Sequence, residues 1–356
     1  MGKQLMRGNH AAGEAAILAG CQSYFGYPIT PQNELTEYMA QNMPRVPGGV
    51  FIQSESEIAA INMVLGASVT GKRTMTSSSS PGISLKQEGI SFLAALELPA
   101  VILNVVRGSP GLGNIAPAQS DYFQATRGGG HGDYRTIVLA PSSVQEMADL
   151  TMDAFDLADI YRTPVLVLTD GLIGQMMEPV VFETDHKANL PPKDWILDGA
   201  AGRPSRFIRS LILDPWLEEE HNWKLQRKYK LIEEKEVRVE TTNMDDAKLV
   251  IVAYGTAARI AKGAIKNARK KGMKVGLFQP KTLWPFPVKE IRDVARSAKH
   301  FLVFEMSCGQ MVEDVQLSLQ GQGKVSFFGR PGGVLITPSD FLTHIQREYQ
   351  KISPKK

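Results

Sequence analysis

Five stretches of the chain carry side chains whose types and spacing could do chemistry. Tyr27-Pro28-Ile29-Thr30-Pro31 follows an expected strand and opens a helix, so Thr30 falls at the C-terminal edge of a parallel sheet, where open α/β folds bind ligands. A simpler reading makes Thr30 a helix N-cap and Pro31 the first helical residue, and the two readings are compatible. Gln53-Ser54-Glu55-Ser56-Glu57-Ile58-Ala59-Ala60 passes from strand into helix, and Ser54 to Glu57 has capping-box spacing, so Glu57 is either a dipole-favoured capping acid or a catalytic carboxylate. Asn104-Val105-Val106-Arg107-Gly108 ends an apolar strand in an arginine, which reads as a bidentate carboxylate clamp or as a solvated surface residue. The serine run Ser77 to Ser80 before Pro81-Gly82 adds hydroxyls to the same edge. Gly128 to Asp133, with three successive glycines and His131, closes a loop too long for a plain connection.

Other chemistries are excluded by pattern. Gly108, Gly111 and Gly113 fit neither the dinucleotide fingerprint nor a P-loop, and no His-Glu-x-x-His, Cys/His cluster or Gly-x-Ser-x-Gly elbow occurs. Cys21 and Cys308 form no Cys-x-x-Cys pair, so neither a disulfide framework nor an iron–sulfur cluster can be built from this chain. With 40 basic and 37 acidic residues the net charge of +3 argues against nucleic acid. No apolar run approaches the roughly 20 residues that span a bilayer, and no signal core opens the chain, which gives a cytoplasmic expectation. At 356 residues, 43% hydrophobic and 22% charged, the composition is that of a soluble protein with two domains.

The elements that position these residues follow from periodicity. Short β-rich runs at Val50–Gln53, Arg73–Ser77, Ala100–Val106, Thr136–Ala140 and Pro164–Asp170 alternate with helical segments, the pattern of a parallel sheet wrapped by helices. Asn9 can cap a first helix lined by Ala12, Ala15, Ala16 and Ala19, and Val144, Met147, Ala148, Thr151, Phe155 and Ala158 mark an amphipathic one. From about Thr184 the composition changes, and Asp214-Pro215-Trp216 opens a charged, solvent-facing helix toward Glu236. A second α/β unit is expected on strands Leu249–Ala253, Val275–Gln279, Phe301–Glu305 and Val325–Phe328, with a last helix started by the Thr337-x-x-Asp340 box. The expected division is 1–186, a linker over 187–245, and 246–356.

Together these stretches closely resemble, over essentially the whole chain, the α subunit of 2-oxoacid:ferredoxin oxidoreductases. Within that family the branched-chain type acting on 3-methyl-2-oxobutanoate (2-ketoisovalerate) is most similar, and the 2-oxoglutarate type next. The resemblance implies an α/β fold: a pyrimidine-type thiamine-diphosphate-binding domain followed by a transketolase C-terminal-like domain, the latter carried by Ala253-Tyr254-Gly255-Thr256 and Gly309-Gln310-Met311-Val312-Glu313-Asp314. It also implies that Glu57 is the catalytic glutamate that hydrogen-bonds the pyrimidine N1′, that Pro28 and Ile29 join it in holding the cofactor, and that Thr30 and Arg107 position the 2-oxoacid. A carboxyl group buried against an apolar ring favours its protonated form, so it can share a proton with that nitrogen. Decarboxylation is then cofactor chemistry that the protein orients, with electrons leaving to iron–sulfur clusters and the acyl group to coenzyme A.

Two absences shape the expected assembly. Thiamine enzymes hold Mg²⁺-diphosphate with Gly-Asp-Gly and a later Asn-Asn; here Thr169-Asp170-Gly171 lacks the first glycine and Asn-Asn is missing. No metal ligand is therefore expected on this chain. The resemblance assigns the Mg²⁺-diphosphate site to a β subunit, and the iron–sulfur clusters to a further subunit beside a γ subunit and ferredoxin, with neither nucleic acid nor membrane among the partners. Two other readings stand beside this one: a thiamine enzyme chain with a nicotinamide or lipoamide acceptor, and a non-catalytic scaffold or binding subunit.

Overall fold

A computed structural model describes residues 2–183 and 188–352. The expected 186/187 division and the start of the linker at Thr184 lie outside the described residues. In chain order the first half contains β1 (Gln4–Arg7), α1 (Gly8–Leu18), β2 (Ser23–Gly26), α2 (Asn33–Asn42), β3 (Val50–Gln53), α3 (Glu57–Ser68), β4 (Thr74–Ser78) and α4 (Pro81–Ala95). It continues with β5 (Ala100–Val106), α5 (Tyr122–Arg127), β6 (Ile137–Leu139), α6 (Val144–Tyr161), β7 (Pro164–Asp170), α7 (Gly171–Gln175) and β8 (Met177–Val180). After α8 (Pro215–Lys235) come β9 (Val239–Thr242), β10 (Leu249–Val252), α9 (Gly255–Lys270), β11 (Val275–Pro280) and β12 (Thr282–Trp284). The chain closes with α10 (Val288–Ser297), β13 (His300–Glu305), α11 (Met311–Leu319), β14 (Lys324–Gly329) and α12 (Pro338–Ile352).

Seven strands form the first sheet in the order β12-β6-β7-β5-β4-β2-β3. All its pairings are parallel except that of β12 with β6. Every residue of β5 and β7 is buried, as expected of central strands covered by helices on both faces. The second sheet has the order β14-β13-β10-β11-β9 and is parallel apart from β9. β1 and β8 make a small antiparallel pair. β12 was not foreseen: it leaves the second half of the chain and completes the first sheet.

Several local expectations change. Asn9 lies inside α1 rather than capping it, and its buried amide donates to the Pro31 carbonyl at 2.9 Å and to Glu34 Oε2 at 3.1 Å. Helix α2 starts at Asn33, so Thr30 is no N-cap and Pro31 no first helical residue. The cap of α3 is Ser56, whose Oγ accepts from Ala59 N at 3.2 Å, and Ser54 Oγ donates instead to the carbonyls of Gly26 and Ser56. Asp214 caps α8 as expected, accepting from Trp216 N at 2.9 Å, but this helix is not simply solvent-facing. Leu225, Tyr229 and Ile232, spaced four and three apart, are buried, and such a stripe contributes about 1.5–3 kcal/mol per fully buried leucine or isoleucine. The Thr337–Asp340 box is present, with Thr337 N donating to Asp340 Oδ2 at 2.9 Å and Asp340 N to Thr337 Oγ1 at 3.2 Å. Among the described residues no helix is long and apolar enough to cross a membrane.

The two halves are joined by buried polar contacts as well as by β12. Gln119 exchanges hydrogen bonds with the Met306 backbone, both at 2.9 Å, and donates to the Tyr254 carbonyl at 2.9 Å. Asp314 accepts from Tyr122 Oη at 2.6 Å and from Arg127 Nη2 at 2.7 Å, and Asp170 accepts from Thr256 Oγ1 at 2.9 Å. The Tyr254-Gly255-Thr256 and Gly309 to Asp314 stretches thus build the seam between the halves.

Candidate active site

Strands β2, β4 and β5 run parallel, so their C-terminal ends and following loops gather at one edge. Glu57 begins α3 at this edge and is 4% exposed. Its Oε1 accepts a hydrogen bond from Ser78 Oγ at 3.0 Å, while its other oxygen takes no hydrogen bond among the described residues. A Cβ added at Gly82 would collide with both Glu57 Oε1 and Ser78 Oγ, so α4 comes this close to the carboxylate only because residue 82 is a glycine.

Thr30 and Arg107 are brought together. Arg107 Nη1 donates to the Thr30 carbonyl at 3.1 Å and Nη2 to the Leu112 carbonyl at 3.0 Å, which leaves Nε buried with no partner among the described residues. The terminal nitrogens therefore hold two loops, and the unspent donor is Nε. The Arg107 backbone N–H donates to Ser80 Oγ at 3.1 Å, and Ser80 N donates to Asn104 Oδ1 at 3.1 Å. Ser80 adopts φ 23°, a conformation that L-residues rarely hold and that concentrates at functional turns. Its neighbour Ser79 has a buried Oγ with no partner among the described residues.

Pro28 is exposed, and Ile29 and Thr30 are partly so, forming a lip beside this edge. Ile58 and Leu85, flanking the Glu57 junction on α3 and α4, are 51% and 52% exposed. Next to Thr30 lies a cavity of about 440 Å³ lined by Thr30, Pro31, Ile115, Pro117, Gly171, Leu172, Gln175, Met176 and Leu335, with no charged side chain among them. The Gly128–Asp133 loop lies elsewhere: Gly129 N donates to Gln87 Oε1 at 2.9 Å, Gly130 N to Tyr134 Oη at 3.0 Å, and Gln226 to the Asp133 carbonyl at 2.7 Å. It packs between α4 and α8 and makes no hydrogen bond to Thr30, Glu57 or Arg107 among the described residues.

Sequence reasoning passed over Lys86, which has no exposed surface and donates from Nζ to Thr76 Oγ1 at 2.8 Å. Burial pulls its ammonium down to about 7, against the pull of Glu57. The spacing Gly82, Ile83, Lys86, Ile90, Leu93 on the buried face of α4 was the signal that could have found it. Asp170, which lacks the diphosphate motif, is occupied structurally: its Oδ1 accepts from Leu172 N and Thr256 Oγ1, both at 2.9 Å, and burial pushes it up to about 6. Cys308 is exposed, while Cys21 is buried with its thiol pushed up to about 12 by burial.

Known proteins match this arrangement along the whole length. The family described as pyruvate flavodoxin/ferredoxin oxidoreductase, thiamine diphosphate-binding, matches residues 14–245, and pyruvate:ferredoxin oxidoreductase core domain II matches residues 247–341. Ketoisovalerate oxidoreductase subunit VorB of Methanothermobacter thermautotrophicus is 51% identical over 97% of this chain and 98% of its own. The 2-oxoglutarate synthase subunit KorA of Archaeoglobus fulgidus is 38% identical over 98% of this chain and 100% of its own. A structure of the 2-oxoglutarate:ferredoxin oxidoreductase from Magnetococcus marinus, with 2-oxoglutarate, coenzyme A and succinyl-CoA bound, aligns with TM-score 0.87 at 28% identity. That alignment covers 98% of this chain and 65% of the longer one. A split-gene transketolase, with TM-score 0.58 at 14% identity, shares the fold alone. The chain belongs to the thiamine-diphosphate-binding pyruvate flavodoxin/ferredoxin oxidoreductase family. More particularly, it is a subunit of a multi-subunit 2-oxoacid:ferredoxin oxidoreductase.

Proposed function

We propose that this subunit holds the aminopyrimidine half of thiamine diphosphate at Glu57 and serves the coenzyme A-dependent oxidative decarboxylation of 3-methyl-2-oxobutanoate, with electrons passed to ferredoxin. The observation that carries the cofactor assignment is the buried Glu57 carboxylate with one oxygen unspent, beside two orphaned donors, Ser79 Oγ and Arg107 Nε. Buried polar atoms without partners are costly, about 1–3 kcal/mol each, so an edge that keeps two of them near a carboxylate with a free oxygen suits a ligand that satisfies them. Glu57 would meet the ring nitrogen, Pro28 and Ile29 would flank the ring, and Thr30 and Arg107 would orient the 2-oxo and carboxylate groups of the substrate. The cofactor, when bound, supplies the electron sink for loss of carbon dioxide. Glu57 gives and takes back a proton at its free oxygen, and Ser78 fixes the carboxylate plane.

The substrate reading rests on the cavity beside Thr30. Its lining is largely apolar and offers no cation to a distal carboxylate, which suits a branched aliphatic side chain better than 2-oxoglutarate. The 51% identity to the ketoisovalerate subunit against 38% to the 2-oxoglutarate subunit points the same way. A β subunit bearing the Mg²⁺-diphosphate site would cover the exposed edge around Ile58 and Leu85. An iron–sulfur subunit and a γ subunit would complete an assembly working in the cytoplasm. Residues 1–186, 187–245 and 246–356 are the proposed cofactor domain, linker and second domain; the last boundary agrees with family matches that end at 245 and resume at 247, while the first match runs unbroken across 186.

Turnover of 2-oxoisovalerate and 2-oxoglutarate by the purified assembly, with coenzyme A and ferredoxin, tests the reading. Preference for the branched substrate is expected, and equal or better turnover of 2-oxoglutarate would refute the substrate. Copurification with no chain carrying Gly-Asp-Gly and Asn-Asn would refute the split site and favour the scaffold reading.

A further inference from the structure

Lys86 stands one helical turn after Gly82 on α4, on the face that abuts the Glu57 carboxylate. Its Nζ donates to Thr76 Oγ1 at 2.8 Å. Thr76 and Ser78 project from the same face of β4, because side chains two apart share a face, and Ser78 donates to Glu57 at 3.0 Å. Amine, two hydroxyls and carboxylate thus line one dry seam between α3, α4 and β4. No ion pair within 4 Å joins Lys86 to Glu57 among the described residues; the carboxylate favours the ammonium through space, less strongly than burial opposes it. An amine held in such a place by a single neutral acceptor has no packing rationale that a methionine would not serve as well.

We propose that Lys86 is a positioning residue for the reaction: it is the buried counter-charge on the seam that holds the Glu57 carboxylate ready for the cofactor ring to take up its free oxygen. This rests on the reading of Glu57 as the residue that meets the ring. The neighbouring elements leave the pair to itself. Strands β2, β4 and β5 carry one titratable side chain, Tyr24, which faces the other side of the sheet and bonds Ser77 Oγ at 2.5 Å and Thr36 Oγ1 at 3.0 Å. Glu55 before α3 and Glu88 on α4 are exposed, and the Arg107 guanidinium turns to Thr30 and Leu112. When Glu57 is neutralised, Lys86 loses its counter-charge and sheds its proton more readily.

Two measurements on the assembled complex test this. In the pH dependence of kcat, K86M and K86Q are expected to move the acid limb up by about one unit or more, because a carboxyl group without its cation holds a proton more tightly. The KM for the 2-oxoacid stays unchanged, whereas a merely structural lysine would lower kcat equally at every pH. The second readout is thermal unfolding without cofactor. An amine near 7 in the folded chain and about 10.4 in the unfolded one leaves the unfolded state with more protons, so stability rises with pH across that window. That rise is expected in the wild type, absent in K86M and K86Q, and displaced to lower pH in E57Q. An unmoved acid limb, or a rise that survives K86M, overturns the proposal. If neither lysine variant assembles, an E57Q unfolding curve superimposable on the wild type does so. Full turnover in E57Q would sink the Glu57 reading itself, whereas inactive E57Q with an unmoved limb in K86M removes Lys86 alone.

Discussion

Glu57 and Glu305 both stand at strand-to-helix junctions, one in each half of the chain, and they are held in opposite ways. Glu305 ends β13 fully buried, and its two oxygens accept from Ser307 Oγ at 3.0 Å and from the backbone N–H groups of Gln310, Met311 and Val312 at 3.0–3.2 Å. Burial raises its proton affinity and the helix N–H groups oppose that rise. Glu57 is nearly as buried yet, among the described residues, accepts from Ser78 alone. A carboxylate saturated with donors is a fixed part of the architecture, because any proton or ligand must first displace a hydrogen bond. One with a free oxygen keeps the capacity to exchange a proton.

Swapping the two acids' fates is the sharpest way to break this contrast. E57Q is expected to lower coenzyme A-dependent reduction of ferredoxin or a viologen dye by about 10²–10⁴-fold while leaving the assembly folded. Turnover within a few-fold of wild type would erase the distinction. E305A should act inversely, stranding three N–H groups at the start of α11, that of Met311 buried and those of Gln310 and Val312 partly so, and costing on the order of 3 kcal/mol in denaturant unfolding. Asp170 lies between the two cases. Since it is pushed up to about 6 in the folded chain from 3.8, folding favours its protonated form, and stability falls by roughly 2–3 kcal/mol as pH rises from about 4 to 6. D170N should flatten that part of the pH–stability curve, and an unchanged slope would remove Asp170 as its source. Smallest is S78A, which deletes the one donor to Glu57 and should cost about 1 kcal/mol, read as a several-fold fall in kcat with little change in melting temperature.

The parallel strands were legible because β5, β7, β10, β11 and β13 are short, largely apolar runs between helical periods, and β4 is a short run between two of them. Their ends fell within about a residue of expectation. The placement of Glu57, Thr30 and Arg107 at one sheet edge was legible because it follows from strand-then-helix order. What local sequence could not give was the competition among serines at the α3 junction: Ser54 and Ser56 both suit a cap, and the Gly26 carbonyl draws Ser54 away. Lys86 was harder to read because a lysine is seldom fully buried, and only its place in the buried stripe of α4 marks it. The unforeseen strand β12 is three residues long, too short for any periodicity, and its partner β6 lies more than a hundred residues earlier.

That strand ties the fate of the two halves together. With Thr282–Trp284 removed, β6 becomes an uncovered margin, and Ile137, Val138 and Leu139, now wholly buried, lie at a bare hydrogen-bonding rim. Such rims recruit strands from neighbouring molecules. A polypeptide stopping near residue 245 would carry every group assigned to the chemistry and still be prone to self-association, because the piece that seals its sheet is encoded downstream.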